Sequence, residues 1–290
     1  MPFLALAPGL PTPTRPAPLL IVLALAGIVA FSIHVGMLAM GVPFPRAQPP
    51  LLMQWLNEGL VAAGVLAFVV FARPALDAHR PAARLLLVAF TVSAIQETVR
   101  AGVMTGVVTG GWVHALAGLV RPIVRVLLLA QLCLVASRWT RGIGSLAMLA
   151  LPLGAISLAA RKSIALLLEP VMQSLAWLAR PELYVFPYPV HVMVAAYATF
   201  AEAVLGAALL TLLVWDRLPP SKTVRIMGIA LLVALIKGVV GGTLLYSAST
   251  ATSWWVGAWS WSQFLLEFLV LGALVALAWN RYGARATTTR

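Results

Sequence analysis

Four carboxylates and a matching set of bases lie inside stretches of this chain that are otherwise apolar enough to cross a bilayer. The acids are Glu58, Glu97, Glu202 and Glu267. The bases are Arg100, Arg121, Arg125 and Lys237, and the amides Gln96 and Gln263 stand among them. A charge at the centre of a bilayer costs ~2.5–3.5 kcal/mol on insertion scales, so such groups usually pair or face a water-filled cavity. One chemistry this allows is a proton- or ion-coupled path lined by Glu58, Glu97, Arg100, Arg121, Arg125, Glu202, Lys237, Gln263 and Glu267. The competing reading is a fixed ion-pair core that sets helix packing. Arg121 and Arg125 favour fixed pairing, because a guanidinium does not release its proton. Glu58 and Glu202 favour the path, since neither has a base close by in sequence.

A second set of residues suits a soft metal. His34, Met37 and Met40 share one helical face, and His114, His191 and Met193 fall at the same ends of other apolar stretches. Imidazole with thioether is a donor set for copper. Ordinary rim residues are the alternative, because Met is common in packed helices. The expectation is therefore no cofactor, with copper as the alternative. Cys133, the single cysteine, lies in an apolar helix and reads as a buried structural thiol. No H-E-x-x-H, Walker A or G-x-S-x-G pattern occurs. No aspartate lies within an apolar stretch, which excludes Asp-rich metal–diphosphate chemistry.

The elements that must position these groups are legible in composition. The chain is 62% hydrophobic and 10% charged, against about 25% charged in a soluble domain. The reading is an all-α integral membrane protein with about eight transmembrane helices. The spans fall near residues 19–40, 51–71, 85–104, 115–136, one crossing within 143–180, then 190–215, 226–245 and 264–279. Pro152 and Gly154 interrupt the first part of 143–180, and Glu169-Pro170 the second. One piece should cross and the other lie re-entrant or interfacial; Arg161 and Lys162 favour the second as the crossing, which leaves both in a cytoplasmic loop, and otherwise 161–183 is an amphipathic helix on the outer surface. The net charge of +12 sits largely in short loops, where it marks the cytoplasmic side rather than a nucleic-acid surface. Both termini then lie in the cytoplasm and the chain belongs to a cell inner membrane.

The chain also reads as a duplication. Glu58 stands to Arg73 as Glu202 stands to Arg217, and Arg84 to Gln96 as Arg225 to Lys237. Arg121 and Arg125 share the spacing of Gln263 and Glu267. The offsets run from 141 (237 − 96) to 144 (202 − 58). Two tandem halves of four helices follow, 18–141 and 142–283, between cytoplasmic tails 1–17 and 284–290. An even count per half makes the repeat parallel. At ~1.5 Å per residue, Glu97 can reach Arg121, Lys237 can reach Gln263 or Glu267, and Arg125 can reach Glu267. Around 161–189, Trp177, Arg180, Glu182, Tyr184, Phe186, Pro187 and Tyr188 read as an aromatic anchor at headgroup level or a docking surface.

Three functions remain open at this level. The first is a transport or permease-like protein whose polar path lies between the halves. A non-catalytic subunit or assembly partner of a larger membrane complex, or a homo-oligomer, is the second. The third is a membrane-embedded enzyme or copper-handling protein.

Overall fold

The computed structural model describes residues 13–45, 49–180, 186–249 and 253–283, and every element among them is helical. The first span is α1 (Pro16–Ala39), opened by a proline at a position where the missing N–H costs nothing. After Pro49-Pro50 comes α2 (Leu51–Leu76), followed by α3 (Pro81–Ile95) and α4 (Thr98–Thr109). Next are α5 (Trp112–Gly118) and α6 (Val120–Ala136), then α7 (Ile143–Leu175). The remainder is α8 (Val190–Thr199), α9 (Ala201–Val214), α10 (Lys222–Lys237), α11 (Val239–Leu245) and α12 (Trp254–Tyr282). Six of the helical stretches are each long and apolar enough to cross a membrane, and the count reaches eight if two bent pairs each form one span.

The bends have a local cause. Between α3 and α4 the chain turns by 47°, and between α10 and α11 by 73°. Glu97 holds φ 56° at the first turn, and Gly238 holds φ 84° at the second. Both are left-handed, a conformation that closes one helix and lets the next start in a new direction. Glycine adopts it freely; glutamate does so at a cost. Each pair stays packed against its neighbours on both sides of its bend. The start of α3 shares a cavity with Ser137 and Arg138, just before α7 begins, while Arg180, just after α7 ends, donates its N–H to Thr109 O at 3.0 Å. Along α12, Trp261 faces Gly242 of α11 and Gly272 faces Ala230 of α10.

The region 143–180 departs from the sequence expectation. It forms one continuous helix, with Pro152 and Pro170 inside it. Pro152 removes the N–H that Met148 O would accept, yet the helix runs on through it; beside it, Trp55 Nε1 of α2 donates to Leu151 O at 2.9 Å and ties α7 to α2. Gly154 is a contact point rather than a break. A Cβ at Gly154 would sit 2.4 Å from Gly59 N, so the pair of glycines lets α7 cross α2 almost backbone to backbone. Arg161 consequently lies in mid-helix and not in a loop.

Packing follows a regular pattern. Helix α1 packs on α12 and α9, while α7 packs on α6 and α2; α3 packs on α9, and α10 packs on α2. Thr14 Oγ1 donates to Tyr282 O at 3.1 Å, so α1 begins where α12 ends.

Candidate functional site

Two polar clusters stand in the middle of the bundle. The first is built on Glu58 of α2, a buried carboxylate. Arg125 of α6 donates to both its oxygens, at 3.2 and 3.1 Å, and Ser157 of α7 donates at 2.9 Å. Arg161, one turn beyond Ser157, brings Nε to 3.5 Å of Glu58 Oε1 and donates through Nη2 to Gln54 Oε1 at 3.0 Å. Glu58 is thus fully engaged by two arginines and a hydroxyl, where the sequence showed no base near it. Ser157 and Arg161 are four residues apart and so share a helix face; that spacing was the available signal, obscured by the expectation that Arg161 lay in a loop. Arg125 pairs with Glu58 and not with Glu267.

The second cluster is built on the bend at Glu97. Its carboxylate accepts from Arg100 Nη1 at 2.7 Å and also from Lys237 Nζ. Lys237 donates to Gln96 O at 3.3 Å as well. Glu97 therefore pairs with Arg100 and Lys237 rather than with Arg121, and Lys237 does not pair with Gln263 or Glu267. Each bend thus places one half of an ion pair at its break. Glu202, from α9, accepts from the backbone N–H of Val99 at 3.0 Å and of Arg100 at 2.5 Å. These belong to the first turn of α4, whose amides have no partner within the helix. A carboxylate from a different helix caps them and neutralises the positive end of the helix dipole.

Gln96 joins the two clusters. Its Oε1 accepts from Arg125 Nη2, its Nε2 donates to Ile236 O at 3.0 Å, and its carbonyl accepts from Lys237. The polar chain is continuous from Glu58 through Arg125 and Gln96 to Lys237 and Glu97.

A cavity of about 610 Å³ opens beside the second cluster, with His34, Gln96, Glu97, Arg100, Lys237 and Glu267 in its wall. Glu267 is only 1% exposed, and no hydrogen bond or ion pair holds its carboxylate among the described residues. On the aromatic side, His34 stacks on Phe264 with ring centroids 4.8 Å apart, and Arg100 lies over Phe31 at 4.8 Å. Tyr188 reaches the rim, where burial pushes its phenol above the ordinary range. Gln263 is fully buried and donates to Pro43 O at 3.1 Å, fastening the 43–45 loop to α12. A second cavity, of about 470 Å³, lies between α5–α6 and α7, and Arg121, Arg125 and Arg161 line it.

The imidazole and thioether set is dispersed. His34 and Met193 line the large cavity, and Met37 is buried elsewhere on α1. Met40 is exposed beside Trp255 and Trp259, His191 is exposed at the start of α8, and His114 sits half-buried on α5. Among the described residues, no three His, Cys, Asp or Glu side chains converge as a metal site. Cys133 is buried. Of the aromatic segment, Trp177 is exposed and Phe186 meets Tyr188 edge to face at 5.7 Å, while Glu182 and Tyr184 lie outside the described residues.

Compared with protein-family models, with curated proteins and with solved structures, the chain has no match. Fold and site together define a class. These are the apolar helices of a multi-pass, all-helical membrane protein. Within that class the chain is marked by two bent helix pairs, one breaking at the buried Glu97 and the other just past its half-buried partner Lys237.

Proposed function

We propose that this chain is a transporter of the inner-membrane, permease-like kind, with eight spans in two tandem halves and a polar path between them. The observation that carries it is Glu267, a buried carboxylate without an ion partner among the described residues. It faces a cavity whose wall is a charged triad at the break of two discontinuous helices. Broken helices near the midplane are where duplicated transporters hold substrate and coupling ion. A carboxylate free of fixed pairing can take up and release a proton as cavity contents change, whereas Glu58 and Glu97, already paired, position the walls.

Several features support the two halves. The left-handed residues are 141 apart (238 − 97), the same offset as the charged positions. Arg84 Nε donates to His79 O at 2.7 Å before α3, and Arg225 Nε donates to Pro219 O at 2.9 Å before α10. The helix contacts also correspond in pairs, α1 on α12 with α7 on α6, and α3 on α9 with α10 on α2. Basic loops gather at one end, taken as the cytoplasmic side with both termini.

The test is a flux assay. Purified protein goes into liposomes carrying a pH-sensitive dye. The vesicles meet a panel of organic anions, amino acids and organic cations under an imposed pH gradient. At least one solute should drive proton movement. If no solute drives proton movement or enters as radiolabel, the transport reading is wrong, and the role of a subunit in a larger complex takes its place.

A further inference from the structure

The arginine-lined cavity between α5–α6 and α7 is not used by the transport path. We propose that it is a binding site for a phosphate group, carried by a phospholipid headgroup or by a soluble phosphate ester. The inference does not depend on the transport reading.

Three guanidinium groups, Arg121, Arg125 and Arg161, line one space of about 470 Å³. Arg125 is held by Glu58 and Gln96, and Arg161 by Glu58 and Gln54, so among the described residues Arg121 is the arginine with all its donors to spare. Arg161 Nε, buried and 3.5 Å from Glu58 Oε1, makes no hydrogen bond among the described residues. Arg121 has neither an ion pair nor a hydrogen bond among the described residues. Glu169 also lines the cavity and accepts from Gln173 Nε2 at 2.9 Å. Three arginines against Glu58 and Glu169 leave one positive charge over, which a phosphodiester would neutralise. Planar guanidinium forks are the side chains best suited to phosphate oxygens.

Depth makes Arg121 the arginine nearest the headgroups. Arg121 lies roughly 27 Å along the chain from Trp139, and Arg161 lies roughly 27 Å from Ile143, at ~1.5 Å per residue. With a hydrocarbon core of about 30 Å, Arg121 stands toward the end opposite the 139–143 loop, while Arg161, in mid-helix, stops roughly 24 Å short of Trp177 (177 − 161 residues at ~1.5 Å) and holds the deeper wall of the cavity. Trp112 at the start of α5 and Trp177 just past α7, both exposed, mark the interface at that end.

Native mass spectrometry of the whole chain in neutral detergent tests this, with phosphatidylglycerol and phosphatidylcholine as lipid probes and inorganic phosphate as competitor. Phosphatidylglycerol should bind about tenfold tighter than phosphatidylcholine, and Arg121→Gln should weaken it about tenfold. Arg121→Lys should restore part of the loss. Arg121 touches no other side chain by hydrogen bond among the described residues, so its variants are expected to fold. Binding that survives excess inorganic phosphate assigns the site to a lipid headgroup, and binding displaced by it assigns the site to a soluble phosphate ester. Equal binding of the two lipids, or an unchanged affinity in Arg121→Gln, overturns the proposal.

Discussion

At the residue scale, the buried charges differ in what removing them would expose. Glu97 is held by Arg100 and Lys237 together. Glu97→Ala strands two cations, and losing one partner of a buried pair costs ~3–5 kcal/mol. A marked drop in the thermal unfolding midpoint in detergent is expected. Lys237→Met leaves Glu97 with Arg100 and should cost less. Glu202 acts on backbone instead. Glu202→Ala leaves two amides of α4 without an acceptor, for a loss of ~1–2 kcal/mol by the same measurement. Glu202→Gln keeps a side-chain carbonyl and should lose a smaller share. Had Glu202 no capping role, the alanine and glutamine variants would be equally stable.

At the element scale, stability rests on close approaches that only glycine permits. A Cβ at Gly154 would lie 2.4 Å from backbone of α2. Gly154→Val is expected to pry α7 from α2 at a cost of ~1–3 kcal/mol, read as a lower unfolding midpoint. Gly238→Ala must hold φ 84° with a side chain, for ~1–2 kcal/mol. The apolar stretches themselves were plain in the sequence, because a helix that must satisfy its own backbone in lipid needs about 20 apolar residues. What pattern could not reveal was how proline and glycine behave there. Pro152 and Gly154 read as a break and proved to be part of a continuous helix. Glu97, which carries no breaking signal, sits at a bend, because partners on α10 and within its own turn hold it in place. The charged residues were visible as a set, and their partners were not: pairing depends on which helix faces are adjacent, and Arg161 was assigned to a loop.

At the scale of the whole molecule, the bent pairs decide between six crossings and eight. Cys133 is the only cysteine and is buried, so single cysteines added in a Cys133→Ser background can be labelled cleanly. Gly144→Cys and Lys222→Cys should react with a membrane-impermeant maleimide from one side, and Ser253→Cys from the other. If Lys222→Cys and Ser253→Cys label from the same side, α10–α11 is re-entrant and the two equal halves do not hold.

The central claim is that a carboxylate without an ion partner, in a cavity between the two halves, moves protons with a solute. Solute and proton flux measured together, in one liposome preparation, bear on it most directly. The wild-type chain should move both. Glu267→Gln, inserted and folded as judged by its unfolding midpoint, should lose proton-coupled uptake. Equal coupled fluxes in the two proteins would contradict the account.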